Sequence, residues 1–213
     1  MAKVTAPLLS FNAGGAIAKT QVYATWKGIP YARRYVVPSN PQSTAQTMTR
    51  SVFTTLTKVW KNMTSDATAP FMAFATGKPL TDRNAFLKFN VAALRPGTDW
   101  TDWVGSPSAN GGVPLTSFVA TGGSGSIATT VVAPTPPVGW TLTKVVAVAR
   151  LNDDPHTTTN DAVTVASASS TPWQPAFSSM AAGAYQVTAW PVWDTGGGKL
   201  AYGASLNHTA TVT

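Results

Sequence analysis

The run LAYGASLNHTATV, Leu200 to Val212, decides the fold class of this chain. Tyr202, Leu206, Ala210 and Val212 alternate with Gly203, Ser205, Asn207, Thr209 and Thr211. Such alternation buries one face of a strand and wets the other, as in antiparallel sheets. Further β-patterned runs precede it at Leu115–Ala120, Ser126–Ala133, Thr141–Arg150, Ala162–Ala168 and Ala184–Trp190. Turn residues separate them at about the 8–12-residue spacing of a sandwich. GGSGS at 122–126 reads as a tight hairpin and DTGGG at 194–198 as a turn between strands.

Met180-Ala-Ala-Gly-Ala-Tyr185 precedes a strand in the manner of a tyrosine corner, in which a Tyr hydroxyl bonds back across the bend of a sandwich. With the strand count, residues 113–213 resemble a fibronectin type III or immunoglobulin-like module. The loop-rich stretch PGTDWTDWVGSPSANGG, which begins at Pro96, predicts a domain boundary at about residues 105–113.

Upstream the pattern changes. Residues 1–20 are small, apolar and Gly-bearing, and read as an extended arm. Gln21–Trp26, a turn at Lys27-Gly28 and Ile29–Val37 predict a hairpin with Tyr31, Arg33, Tyr35 and Val37 on one face and Ala32, Arg34 and Val36 on the other. Pro38-Ser39-Asn40-Pro41 breaks it. A helix follows, with Ser43 or Thr44 as cap and an apolar stripe of Met48, Val52, Leu56, Val59 and Met63, widened by Phe53 and Trp60. Gln46, Arg50, Thr54, Thr57 and Lys61 fall opposite that stripe. Shorter helices are expected over Ala67–Thr76 and Asp82–Leu94, the second capped by Thr81 or Asp82. The fold class is thus α+β: an arm (1–20), a hairpin-and-helix domain (21–105) and an antiparallel β-sandwich (113–213).

Net positive charge is confined to the first 61 residues. Lys3, Lys19, Lys27, Arg33, Arg34, Arg50, Lys58 and Lys61 give +8 with no acid before Asp66, whereas 62–213 sets seven Lys/Arg against eight Asp. A segregated field of one sign acts on partners rather than on topology. The charged fraction of 11% is far below the usual level of about 25%, so little repulsion keeps copies apart. Both features suit life in an assembly. The absence of Cys excludes disulfides and thiolate metal sites. The N-terminal MAKVTAPLLSFNAGG has too short an apolar run, broken by Pro7, for a signal peptide. No apolar run approaches the ~18 residues of a spanning helix, and no membrane partner is expected.

The segment Gly15–Asn90 combines a basic hairpin (Trp26-Lys-Gly28, Tyr31, Arg33), then Asn40-Pro41, then Gln46, Arg50 and Phe53 on a helix, then Asn84-Ala-Phe86 with Asn90. This combination resembles a functionally uncharacterised family found in bacteriophage, prophage and bacterial genomes, whose members often end in a β-rich domain. The resemblance implies a virion component, made in the bacterial host cytoplasm, and carries over no catalytic residues.

Asn152-Asp-Asp-Pro-His156 with Asp161 is the one acid/His cluster. Its residue types suit a hard cation or a carboxylate pair, but a polar inter-strand loop is the preferred reading, and no metal or cofactor is expected. His208 is expected to be a buried, hydrogen-bonded structural histidine, with no nucleophile elbow, phosphate loop or dinucleotide fingerprint beside it. Trp100 and Trp103 flank Asp102, while Trp173, Trp190 and Trp193 lie in the β domain. These indoles are expected to anchor cores and interfaces, and Trp173 or Trp190 is where a host surface glycan would be tested.

The expected function is non-enzymatic and structural: a tailed-phage virion protein, preferentially a capsid decoration or cement protein, with a tail or neck protein as alternative. A carbohydrate-binding host-attachment module and a DNA-binding accessory protein are the alternatives of other classes. Expected partners are major capsid or tail and neck proteins and further copies of this chain. Nucleic acid is not expected, because eight basic residues over 61 form no Lys/Arg run and no known binding motif. Docking is expected through Trp26, Lys27, Tyr31, Arg33, Arg34 and Tyr35 on the hairpin, and through Gln46, Arg50, Lys58 and Lys61 on the helix.

Overall fold

A computed structural model of the chain describes residues 2–3, 14–26, 29–37, 39–40 and 42–213. It comprises two compact units, residues 1–42 and 43–213. In the first, β1 (Ala2–Lys3), β2 (Gly15–Ile17), β3 (Gln21–Trp26) and β4 (Ile29–Arg34) form an antiparallel sheet in the order β1-β4-β3-β2. The hairpin was expected, although its turn at Lys27-Gly28 lies outside the described residues. The arm differs from expectation, because two of its segments add strands to the outer edges of the hairpin. Thr20 closes the β2–β3 turn by donating both its N–H and its Oγ1–H to the Ile17 carbonyl, each at 2.8 Å.

The second unit begins with α1 (Thr44–Asn62), α2 (Ser65–Ala75) and α3 (Asp82–Leu94). The expected Thr81 cap is present, its Oγ1 accepting the Asn84 N–H at 3.2 Å. On α1 the stripe Val52, Leu56 and Val59 is fully buried, but Met48 and Phe53 are 41% and 47% exposed. No helix among the described residues is long and apolar enough to cross a membrane.

Nine strands follow: β5 (Pro107–Ala109), β6 (Ser117–Gly123), β7 (Ser126–Val132), β8 (Thr141–Leu151), β9 (Thr164–Ala168), β10 (Phe177–Ser178), β11 (Gly183–Asp194), β12 (Leu200–Ala204) and β13 (Leu206–Val212). Six form a sheet in the order β5-β12-β11-β8-β9, with β13 also on β11, and three form a sheet in the order β10-β7-β6. All pairings are antiparallel.

The six-stranded sheet is covered on both faces, and its central strands have the sequence for it. Val145 to Ala149 is an unbroken apolar run, as buried-both-sides strands require. Val146, Val148, Trp190 and Val192 pack with the helices. Val145, Ala147, Ala149, Val187 and Ala189 pack with Phe118 and Ile127 of the smaller sheet. The result is three layers: helices, large sheet, small sheet.

This corrects the expected boundary at 105–113. The loop between α3 and β5 sends Trp100 and Trp103 into the same core as Val52, Phe71, Phe86 and Trp190. The helices and the large sheet therefore share a core, and the chain divides at 42/43 instead. A Gly- and Trp-bearing loop reads locally as a linker, whereas its indoles find partners only in tertiary structure.

The run 200–212 is two strands, not one. Its break is at Ser205, whose N–H donates to the Ser106 carbonyl while its Oγ accepts from Gly105. β12 pairs with 192–194 of β11 and β13 with 183–189. The end of β13 also reaches the smaller sheet, through Thr213 N–H to Gly123 O at 3.2 Å and Gly125 N–H to Thr213 O at 3.1 Å. A Cβ on Gly122 would lie 1.8 Å from the Thr211 carbonyl oxygen. Gly122→Ala is therefore expected to cost about 1–3 kcal/mol of stability, read as a lower urea midpoint. An unchanged midpoint would mean that β13 does not close against β6 this tightly.

Candidate functional site

On the hairpin, register pairs Tyr31 with Ala24 and Arg33 with Val22, so these four share one face. Arg34 pairs with Gln21 and Ala32 with Tyr23 on the other. Arg33 and Arg34 are exposed, and Tyr31 and Tyr35 are half-buried. β4 ends at Arg34, and Tyr35 continues its register by one residue, its N–H donating to Thr20 O at 2.8 Å. The buried aromatic of this sheet is Tyr23, whose hydroxyl donates to Gln21 Oε1 at 3.0 Å. Lys27 and the Trp26 side chain lie outside the described residues.

On α1, Gln46, Arg50, Lys58 and Lys61 are all exposed. Gln46, Arg50 and Phe53 stand at i, i+4 and i+7, the spacing of one helix face. Phe53 thus belongs with the polar face and not with the apolar stripe to which its hydrophobicity assigned it. No residue before Val52 in this helix is buried. Arg83 on α3 adds a cation beside this face, its Nη2 donating to Thr57 Oγ1 at 3.2 Å. Sequence reasoning missed both; the i, i+7 spacing was the available signal for Phe53, and none marked Arg83.

Ion pairs among the described residues are Lys144–Asp66, Arg150–Asp153 and His156–Asp154. Arg33, Arg34, Arg50, Lys58 and Lys61 join none of them. Of the expected contact residues that are described, Tyr31, Arg33, Arg34 and Tyr35 belong to the first unit and Gln46, Arg50, Lys58 and Lys61 to the second.

The acid/His cluster is occupied by the fold itself. Asp153 accepts from Trp100 Nε1 at 3.0 Å, from Arg150 Nη2 at 3.3 Å and from Thr158 Oγ1. Arg150 is 1% exposed, with its guanidinium 3.7 Å above the Trp100 ring. Burial pulls its pKa down to about 10, with the Asp153 carboxylate working in the opposite direction. Asp154 accepts the His156 backbone N–H at 2.8 Å, which, with the His156 ring and Thr157, holds its carboxyl below the usual range. His156 Nε2 contacts the Arg95 carbonyl at 3.1 Å, so the loop ties α3 to β8. Among the described residues no group of three or more His, Cys, Asp or Glu is placed to hold a metal ion.

The expectation for His208 changes, whereas Trp100, Trp103, Trp190 and Trp193 are fully buried, as core anchors are. His208 does lie on the apolar side of β13, but it is half-buried and its Nδ1 has no hydrogen-bond partner among the described residues. Trp190 is fully buried and cannot meet a glycan, and Trp173 packs against the core between the sheets. The Tyr185 hydroxyl bonds back to Ala181 O at 3.1 Å, as the tyrosine-corner reading required. No protein-family model matches the chain, and no curated protein matches it.

Proposed function

We propose that this chain is a non-enzymatic structural protein of a tailed-bacteriophage virion, a capsid decoration or cement protein that docks through its basic surfaces. The observation that carries the reading is the state of Gln46, Arg50 and Phe53. The spacing that resembles the phage family lies on solvent-exposed helix, and none of the three side chains supports the core. Aromatic and Arg side chains left outside a core are the types that dominate protein interfaces. Uncompensated cations beside them favour an acidic protein surface.

We read β6–β13 as an immunoglobulin- or fibronectin-like sandwich. Facing sheets and the Tyr185–Ala181 bond support this. Because the helices share their core with the large sheet, a partner gripping α1 holds the entire 43–213 unit and not a flexibly attached domain.

The test is incorporation into particles. Arg50→Ala and Phe53→Ala are each expected to lower incorporation by roughly tenfold or more, while changing stability by only about 0.5 kcal/mol. Arg33→Ala tests the other surface in the same way. Normal incorporation of all three variants would sink docking through these faces. Electron microscopy of purified particles separates decoration from the neck or tail alternative. Decoration gives copies on the order of hundreds on the shell, whereas a neck or tail protein gives a closed ring of about six or twelve.

A further inference from the structure

We propose that a cleft beside Trp140 binds a pyranose saccharide carrying a carboxylate. The chain has eight Trp. Trp100, Trp103, Trp190 and Trp193 are fully buried. Trp60 packs on Phe71 and Phe86, and Trp173 against the core between the sheets. Trp140 alone, among the tryptophans whose side chains are described, is half-buried and joins neither core. It lines an open cleft of about 490 Å³ with Asn110, Thr195, Lys199 and Leu200. An aromatic wall with a few polar groups, in a volume within about 300–1,000 Å³, is the usual form of a small-ligand site.

Each wall is held by the fold. Trp140 follows Pro136-Pro137-Val138-Gly139, a turn closed by its own N–H on Pro137 O at 3.0 Å, with Gly139 at a φ of 81°. Opposite, Thr195 donates its N–H and its Oγ1–H to Lys199 O, at 3.0 and 3.1 Å. Asn110 Nδ2 donates to Leu200 O at 2.8 Å, which leaves its Oδ1 for an incoming hydroxyl. Walls set before binding reduce the ordering cost of a weakly held ligand.

The residue types choose the class. A flat indole beside Leu200 takes the C–H face of a sugar ring, and Asn110 and Thr195 take its hydroxyls. Lys199 lines the same space, while Asp194, the acid of that turn, is engaged by the Gly196 N–H at 2.8 Å. One cation fits one carboxylate. A stacked nucleic acid is disfavoured, because residues 96–213 hold three basic side chains against six Asp and repel a polyanion.

The full-length chain is tested on a glycan array that includes sialylated and uronic-acid oligosaccharides, followed by calorimetry with trigalacturonic acid, its methyl ester and a short oligothymidylate. Binding to a carboxylate-bearing glycan is expected. Trp140→Ala should weaken it roughly tenfold or more, and Trp140→Phe should retain part of it. Lys199→Ala should reduce binding about threefold to fivefold for the acidic sugar and leave any binding of the ester unchanged. Unchanged far-ultraviolet dichroism keeps the variants interpretable. No retained glycan, full binding by Trp140→Ala, or tighter binding to the oligothymidylate would each overturn the site. The virion assignment does not depend on the outcome, since incorporation is read separately.

Discussion

Trp190→Ala is expected to lower stability by about 3–5 kcal/mol, a large part of the roughly 5–15 kcal/mol that holds a domain folded. The ring is fully buried on the helix side of β11, opposite Val146 in register. A Cβ on Gly105 would come within 2.7 Å of its Cζ3, so the loop after α3 already lies in close contact with it. Neither side can collapse into the space that the indole leaves. The sheet is fixed by two strand ladders, and the loop is fixed by Asn90, whose Nδ2 donates to Val104 O at 3.0 Å while its Oδ1 accepts the Val104 N–H at 2.9 Å. A cavity that cannot relax lies at the costly end of large-to-small substitutions. Denaturant unfolding followed at a helix-sensitive and a tryptophan-sensitive wavelength checks this. One shared core requires coincident transitions in the parent protein and a single shifted transition in the variant. A helical signal that melts separately, or a loss below about 1 kcal/mol, would contradict a core common to helices and sheet.

How much of this was legible beforehand depends on the range over which each element is decided. The α3 boundaries and the Thr81 cap are local and were readable. So was the 122–126 hairpin, where Gly123 pairs with Ser126 and Gly125 has a φ of 61°. The third layer was written in the sequence but in a different pattern. Residues 145–149 are unbroken apolar and 187–193 are apolar but for Thr188, and such runs without alternation mean burial on both faces. A half-wet sandwich strand such as 206–212 looks different. What local pattern cannot carry is the role of Trp100 and Trp103. Their partners, Arg150, Asn152 and Asn207, lie far along the chain. Of the candidate contact residues, Arg33, Arg34, Gln46, Arg50, Lys58 and Lys61 are exposed and Tyr31 and Tyr35 are half-buried. Their division between two units was not readable, since charge counting along a chain says nothing of which element each residue joins.

Asp153→Ala is the second large effect, expected at about 3–5 kcal/mol. Its cause lies in Arg150, whose side chain is entirely buried while Asp153 is 23% exposed. A guanidinium out of water keeps its charge at a cost, and burial draws its pKa down to about 10. Because the folded value is the lower one, that cost is present in full below pH ~10 and shrinks as pH rises through it. Removing the carboxylate strands the charge and also takes the acceptor from Trp100 Nε1 and Thr158 Oγ1. Asp153→Asn keeps an acceptor without the charge and should fall between the parent and Asp153→Ala. Asp154→Ala, on the more exposed side of the loop, should cost no more than about 1 kcal/mol. The deciding variant is Arg150→Met with Asp153→Ala. If the stranded charge dominates, removing it as well restores much of the lost stability, since an apolar pair of similar volume is tolerated where half of an ion pair is not. Urea midpoints of the single and double variants measure this directly. A double variant no more stable than Asp153→Ala would assign the loss to the Trp100 and Thr158 hydrogen bonds, and the loop would then be a polar clasp on the indole and not a counter-charge for Arg150.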